Sequence, residues 1–211
     1  MANRIEPFRD YSEHEVVNLF ALDLAGLTLA DMKNLGAAGN DWDSGVAVKA
    51  SGGGLAGDIP SGFATDSAVN NAPLRAYLGY NHESVSGNPS HIGRNDMPIN
   101  TLTVAACGDD DTEAIGLTLR QTLAYDENGE NLLRYPVKKD ELQAVGPGET
   151  VPVLTRGLVI LNADGMDGTP VQGDPLECAA NGKLKKLAGG GTVVGRVLAV
   201  GDSKYLCKLS F

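Results

Sequence analysis

The residues of this chain best suited to chemistry are two histidines and two acidic runs, and metal ligation would be that chemistry. His82-Glu83 opens an H-E-x-x-H pattern, in which two histidines one helical turn apart hold zinc and the glutamate serves as base. Ser86 occupies the second histidine position, and His91 and Asp96 follow farther along the same loop. Asp109, Asp110, Asp111 and Glu113, and then Asp126, Asn128 and Glu130 in "DENGE", are hard oxygen ligands suited to calcium. Neither run has the glycine at position six or the glutamate at position twelve of an EF-hand loop, so both read as turns and no metal is expected. "GGGLAG", Gly52 to Gly57, has the spacing of a dinucleotide loop. Pro60 and Gly62 stand where the phosphate-facing helix would run, so no nucleotide cofactor is expected either. There is no G-x-S-x-G elbow, and Cys107, Cys178 and Cys207 have no histidine in a recognisable arrangement. No catalytic residue is assigned, and the chain reads as a non-enzyme.

"PVQGDPLECAANGKL", Pro170 to Leu184, places Lys183 near a hairpin tip, where a swinging-arm cofactor would attach. Its Gly-Asp-x-Leu approach is similar to lipoyl and biotinyl carriers, but those present lysine within Asp-Lys-Ala or Met-Lys-Met. Here the tip is Asn181-Gly182, a turn pair that tolerates positive φ, and Lys183 begins the return strand. Lys183, Lys185 and Lys186 read as a solvated face.

The elements that must position these residues are mostly short strands. The chain has 211 residues, 42% of them hydrophobic but only 5% aromatic, with 27 glycines. After Asn100, "TLTVAA", "AIGLTLRQTLAY", "NLLRYPV", "VPVLTRGLVIL", "PLECAA", "KLKKLA", "TVVGRVLAV" and "KYLCKLSF" follow one another, separated by turn residues. This pattern predicts a mainly β fold: a small antiparallel β-barrel or sandwich over about residues 100–211. Before it lie an extended N-terminal arm, residues 1–13, and a loop-rich β region, residues 14–99. Where the two meet, Ser12 with Glu15 could cap a helix, while "VVNLF" suits a strand, and the strand is preferred. Thr28 to Gly36 predicts a short helix, and "GVAVKA" and "LRAYLGY" predict strands.

Seventeen basic against 27 acidic residues give a net charge of −10, which disfavours a nucleic-acid partner because such affinity rests on Lys and Arg. No stretch approaches the length of an apolar membrane span, and no basic head with an apolar run opens the chain, so no membrane partner is expected. Three widely spaced cysteines point away from a disulfide framework, and Cys178 and Cys207 read as small core side chains.

The order of "DENGE", "YP", "PGETVPVLTRG", "PVQGDPLECAANGKL" and a closing "GRV" resembles the capsid decoration, or cement, proteins of tailed bacteriophages. The resemblance spans Ala114 to Phe211, and "YSEHEVVNLFAL" near the start has the same look. It implies a non-enzymatic virion protein without cofactors, a homotrimer whose partner is the major capsid protein. Made in the host cytoplasm, such a protein sits on the outer capsid surface and stabilises capsomer junctions. The shortage of aromatics to complete a monomeric core also favours the trimer. The N-terminal arm is the expected anchor: Asn3, Arg4, Ile5, Phe8, Arg9 and Tyr11 are the capsid-contact candidates, with Phe8 and Tyr11 filling pockets. The competing expectation is a glycan- or host-surface-binding module using residues 39–98.

Overall fold

The computed structural model describes residues 4–22, 44–52, 103–126, 128–132, 135–146 and 149–211. The chain is mainly β, as its strand-and-turn texture predicts. The predicted helix at Thr28–Gly36, the strand "LRAYLGY", the loop histidines, and the dinucleotide-like loop beyond Gly52 lie outside the described residues.

A seven-stranded sheet has the order β1 (Ile5–Asp10), β9 (Arg156–Asn162), β14 (Lys204–Ser210), β13 (Gly195–Gly201), β11 (Pro175–Ala179), β12 (Lys183–Lys186), β10 (Met166–Asp167). A closed barrel is formed by β2 (Val16–Leu22), β4 (Thr103–Ala106), β3 (Ala47–Gly52), β5 (Ala114–Thr118) and β8 (Thr150–Leu154). A small parallel pair, β6 (Gln121–Thr122) with β7 (Ala144–Val145), stands beside them. Most pairings are antiparallel, but β2 with β4 and β10 with β12 also run parallel. The barrel does not begin near residue 100: two of its five staves, β2 and β3, come from the earlier region. Composition marks where loops give way to dense strands, whereas strand pairing reaches back across that boundary.

Local sequence explains the clearest strands. In β14, Tyr205, Cys207 and Leu209 are buried while Lys204, Lys208 and Ser210 are exposed, the two-residue period of a half-buried strand. Asp202 and Ser203 join β13 to β14 with φ of 47° and 61°, the two positive values of a tight turn between twisted strands. The Ser12 region realises both of its readings in succession. The Ser12 N–H donates to the Glu15 carboxylate at 2.9 Å, a single 3-10 turn spans Glu13–Glu15, and β2 follows at Val16.

One segment departs from expectation. "NLLRYPV" reads as a strand, but among its described residues only Asn131 makes a bridge, to Tyr125, and Pro136–Glu141 is a helix, α1. Pro136 opens that helix, where its fixed φ fits and its missing N–H costs nothing.

Two features join barrel to sheet. The chain passes from β8 in the barrel to β9 in the sheet through Thr155, and from β1 in the sheet to β2 in the barrel through residues 11–15. Because β1 pairs with β9 and β2 with β8, this forms one ribbon shared by both sheets. At its crossing, the Thr155 N–H and hydroxyl both donate to the Glu15 carbonyl, at 2.8 and 2.9 Å. The second joint is the β11–β12 hairpin tip, whose Gly182 N–H donates to the Cys107 carbonyl at 2.9 Å. The largest core cluster mixes sheet residues such as Leu161, Leu176, Leu184 and Cys207 with Ala47, Leu117 and Leu154 of the barrel. A second cluster, including Val46, Val48, Val104 and Val153, fills the barrel.

Asn181 and Gly182 have φ of 58° and 61°, as their sequence predicts, although the loop between paired Ala179 and Lys183 has three residues rather than two. A Cβ on Gly182 would lie 2.7 Å from the Ala47 carbonyl oxygen and strike the Val46 side chain. Gly182→Ala is expected to cost about 2–4 kcal/mol, combining backbone strain with overpacking. Gly168→Ala, also at positive φ but facing open space, should cost about 1 kcal/mol. Urea unfolding of both variants checks this, and equal losses would contradict the close approach at the tip.

Candidate interaction surfaces

The N-terminal segment is extended, but from Ile5 onward it belongs to the chain's own sheet. β1 pairs antiparallel with β9, matching Ile5 to Leu161, Arg9 to Val159 and Asp10 to Leu158 around a bulge. It lies at the end of the strand order, and no other described strand pairs with its far side.

The candidate contact residues divide along this strand. Asn3 lies outside the described residues. Arg4 is fully buried, and its Nη1 donates to the Asn181 carbonyl at 3.0 Å, so it is a structural residue of the hairpin joint and not a surface contact. Ile5 and Tyr11 are half-buried and pack against the main core. Phe8 and Arg9 contribute their backbone to β1, and their side chains lie outside the description. The intended anchor is thus an edge strand with part of its side-chain set turned inward.

Tyr11 also borders a polar cleft of about 640 Å³, with Glu13, Asn18, Arg120, Gln143 and Thr150 around it. Gln143 holds a positive φ of 53°, an uncommon conformation for a non-glycine residue. The lining offers amides, a guanidinium, a carboxylate and a phenol, which suits hydrogen bonding. The region 39–98, assigned to glycan or host recognition, is mostly outside the described residues.

The lysines of the β11–β12 hairpin are not simply a solvated face. Lys185 is only 17% exposed, and its Nζ reaches Asp109 at 2.5 Å, Asp110 at 2.6 Å and Glu177 at 3.8 Å. The hydrogen bonds to Asp109 and Asp110 hold its pKa above the ordinary lysine value. Glu177 is fully buried, and its two carboxylate oxygens accept from the Ala188 and Gly191 N–H groups, both at 2.8 Å. It therefore fastens the glycine-rich loop between β12 and β13. Lys186 pairs with Asp174 at 2.9 Å, while Lys183 is half-buried at the start of β12. Lys183 begins the return strand beside Gly182, which is the buried residue of the tip, whereas Ala180 and Asn181 are exposed.

The other acidic residues singled out by sequence have similar roles. Asp111 pairs with Lys49 at 2.6 Å and accepts from the Glu113 N–H at 3.1 Å; the Lys49 hydrogen bond holds its carboxyl below the usual range. Asp126 accepts from the Asn128 and Glu130 N–H groups and from Lys138, whose hydrogen bond likewise lowers its pKa. These carboxylates close turns, and among the described residues no group of three or more potential ligands could hold a metal ion.

Exposed large apolar side chains are distributed over several elements: Leu19 on β2, Tyr135 and Val137 at α1, Val171 and Val193 in loops, and Val200 on β13. No described helix is long and apolar enough to cross a membrane. Compared with known proteins, the chain matches no family model, no curated protein and no solved structure.

Lys185→Met is expected to lower the thermal midpoint clearly, because it leaves the buried Glu177 carboxylate and the Asp109–Asp110 turn without their cation. Lys183→Ala should melt near the parent value and carry no lost attachment, which thermal unfolding and intact mass would show together. The reverse ranking would contradict the assigned network.

Proposed function

We propose that this chain is a non-enzymatic virion protein that binds the outer face of a tailed-phage capsid and stabilises capsomer junctions. The ordered motifs of Ala114–Phe211 supply the partner, the major capsid protein, and the homotrimeric state. The edge position of β1 is the structural observation that supports the contact. An edge strand offers unpaired backbone groups to which another chain can add, and flanking side chains then select the partner. Placing several copies across a junction makes each further contact intramolecular, so individually modest contacts add to strong retention. The acidic chain carries no general attraction for nucleic acid, which agrees with a role on the outer surface.

The polar cleft beside Tyr11 favours a second reading, a glycan- or host-surface-binding module that is itself free or displayed on a virion. The amide, guanidinium and carboxylate groups around that cleft suit a hydroxyl-rich ligand.

Co-sedimentation with mature shells lacking their decoration protein tests the first reading. Saturable binding is expected, with a trimer by analytical ultracentrifugation. Phe8→Ala should weaken binding about tenfold or more if this aromatic is an anchor beside the edge. A compact monomer that ignores shells yet binds glycans would overturn the capsid role and favour the cleft.

A further inference from the structure

The outward charges of the seven-stranded sheet are sorted by sign along its strands. β9 and β14 pair antiparallel, from Arg156 opposite Ser210 to Asn162 opposite Lys204. Val159, Cys207 and Val197 form a buried row across β9, β14 and β13. The adjoining row, Leu158, Lys208 and Arg196, therefore faces the other side of the sheet. Arg156 stands two residues before Leu158 and shares its side. Arg156, Lys208 and Arg196 are all exposed. Among the described residues, Arg156 and Lys208 pair with no carboxylate, and Arg196 donates to the Gly173 carbonyl at 3.3 Å. Asp10 of β1 continues the row beyond Leu158, two strands from Lys208, and Asp174, next to Pro175, is taken by Lys186.

The other end of the same strands is acidic. Asp164 follows β9, and Asp202 turns β13 into β14; both are exposed and neither has an ion-pair partner among the described residues. Lys204, the cation at this end, is paired with Glu6 at 3.1 Å. The seven residues of β9 set the two ends roughly 20 Å apart.

Arg196 lies directly opposite Lys208, an arrangement of like charges that destabilises a strand pair. The chain's net charge is −10, so three cations gathered without a carboxylate make a local field opposite to that of the remainder. A carboxylate-bearing surface would relieve the repulsion, and the chain presents one at the far end of the same sheet. We propose that copies of this chain associate head to tail, the Arg156–Arg196–Lys208 end of one docking the Asp164–Asp202 end of the next. The two guanidinium groups can each hold a carboxylate through two parallel hydrogen bonds. Such a contact is heterologous, so every added copy leaves one cationic and one acidic end open until a ring closes. The inference rests on the homotrimer of the proposed function, to which it assigns the contact between copies.

Analytical ultracentrifugation of the full chain tests this at about 0.02 M and about 0.5 M sodium chloride, which differ severalfold in screening length. The parent is expected to self-associate, with a dissociation constant about tenfold or more higher at the higher salt. Arg196→Glu with Lys208→Glu should sediment as a monomer. So should Asp164→Lys with Asp202→Asn, in which asparagine suits the positive φ at position 202. All four substitutions in one chain should restore association, because opposite charges face each other again. Thermal unfolding near the parent value shows that each variant folds. Folded variants that associate like the parent, or paired losses that the fourfold variant does not recover, would overturn the head-to-tail contact and leave the homotrimer standing. A parent that is monomeric at both salts would overturn the contact and the homotrimer together, while the separate co-sedimentation with shells still decides capsid binding.

Discussion

The fold turns on how the tip of one hairpin is held. Asn181 and Gly182 carry the β11–β12 turn into the barrel wall, where Gly182 has no room for a side chain against Val46 and Ala47. The Gly182 N–H is satisfied by the Cys107 carbonyl, and the Asn181 carbonyl by the buried Arg4 guanidinium. A buried charge is expensive to place, so Arg4 persists only where packing and hydrogen bonding compensate it. That requirement fixes the N-terminus of the described chain against a tip 177 residues away in sequence. Barrel, sheet and first strand thereby share one joint.

The second joint, the ribbon crossing at Thr155 and Glu15, explains why the two sheets have one main core. Strands that change sheets carry their inward faces from one to the other, so Leu154 and Val159 belong to the same cluster across the crossing. With β9 taken up on one side by β14 and on the other by β1, the edge at this end of the sheet falls to β1, as the other falls to β10. The surface supporting the proposed capsid contact is thus a consequence of how the interior is assembled. The cleft beside Tyr11 arises at the same crossing, where residues 11–18 pass the loops of β6 and β7.

Much of the β architecture was readable from local chemistry. The alternation of Tyr205, Cys207 and Leu209 needs only nearest neighbours to declare an inward face, and Asn181-Gly182 announces positive φ by residue type. The roles of Arg4, Lys185 and Glu177 were not readable, because each is set by partners brought together by tertiary pairing. An arginine near the N-terminus and a lysine in "KLKK" look solvated until a distant carbonyl or carboxylate is placed beside them. Helix α1 was missed for another reason: its six residues are too few to show a helical period, and Pro136 at the start was its one usable signal. The barrel's reach before residue 100 was hidden because composition records strand density and not which strands pair.

The central structural claim is that barrel and sheet form one cooperative unit through the hairpin tip and the shared ribbon. Native-state amide hydrogen exchange tests it most directly, comparing the opening free energies of barrel amides in β3 and β5 with sheet amides in β9 and β14. The account predicts a common, highest protection in both sets, with the Gly182 amide among the last to exchange, and a fall of both sets together in Arg4→Ala. Two well-separated protection levels, with only the sheet responding to Arg4→Ala, would contradict it.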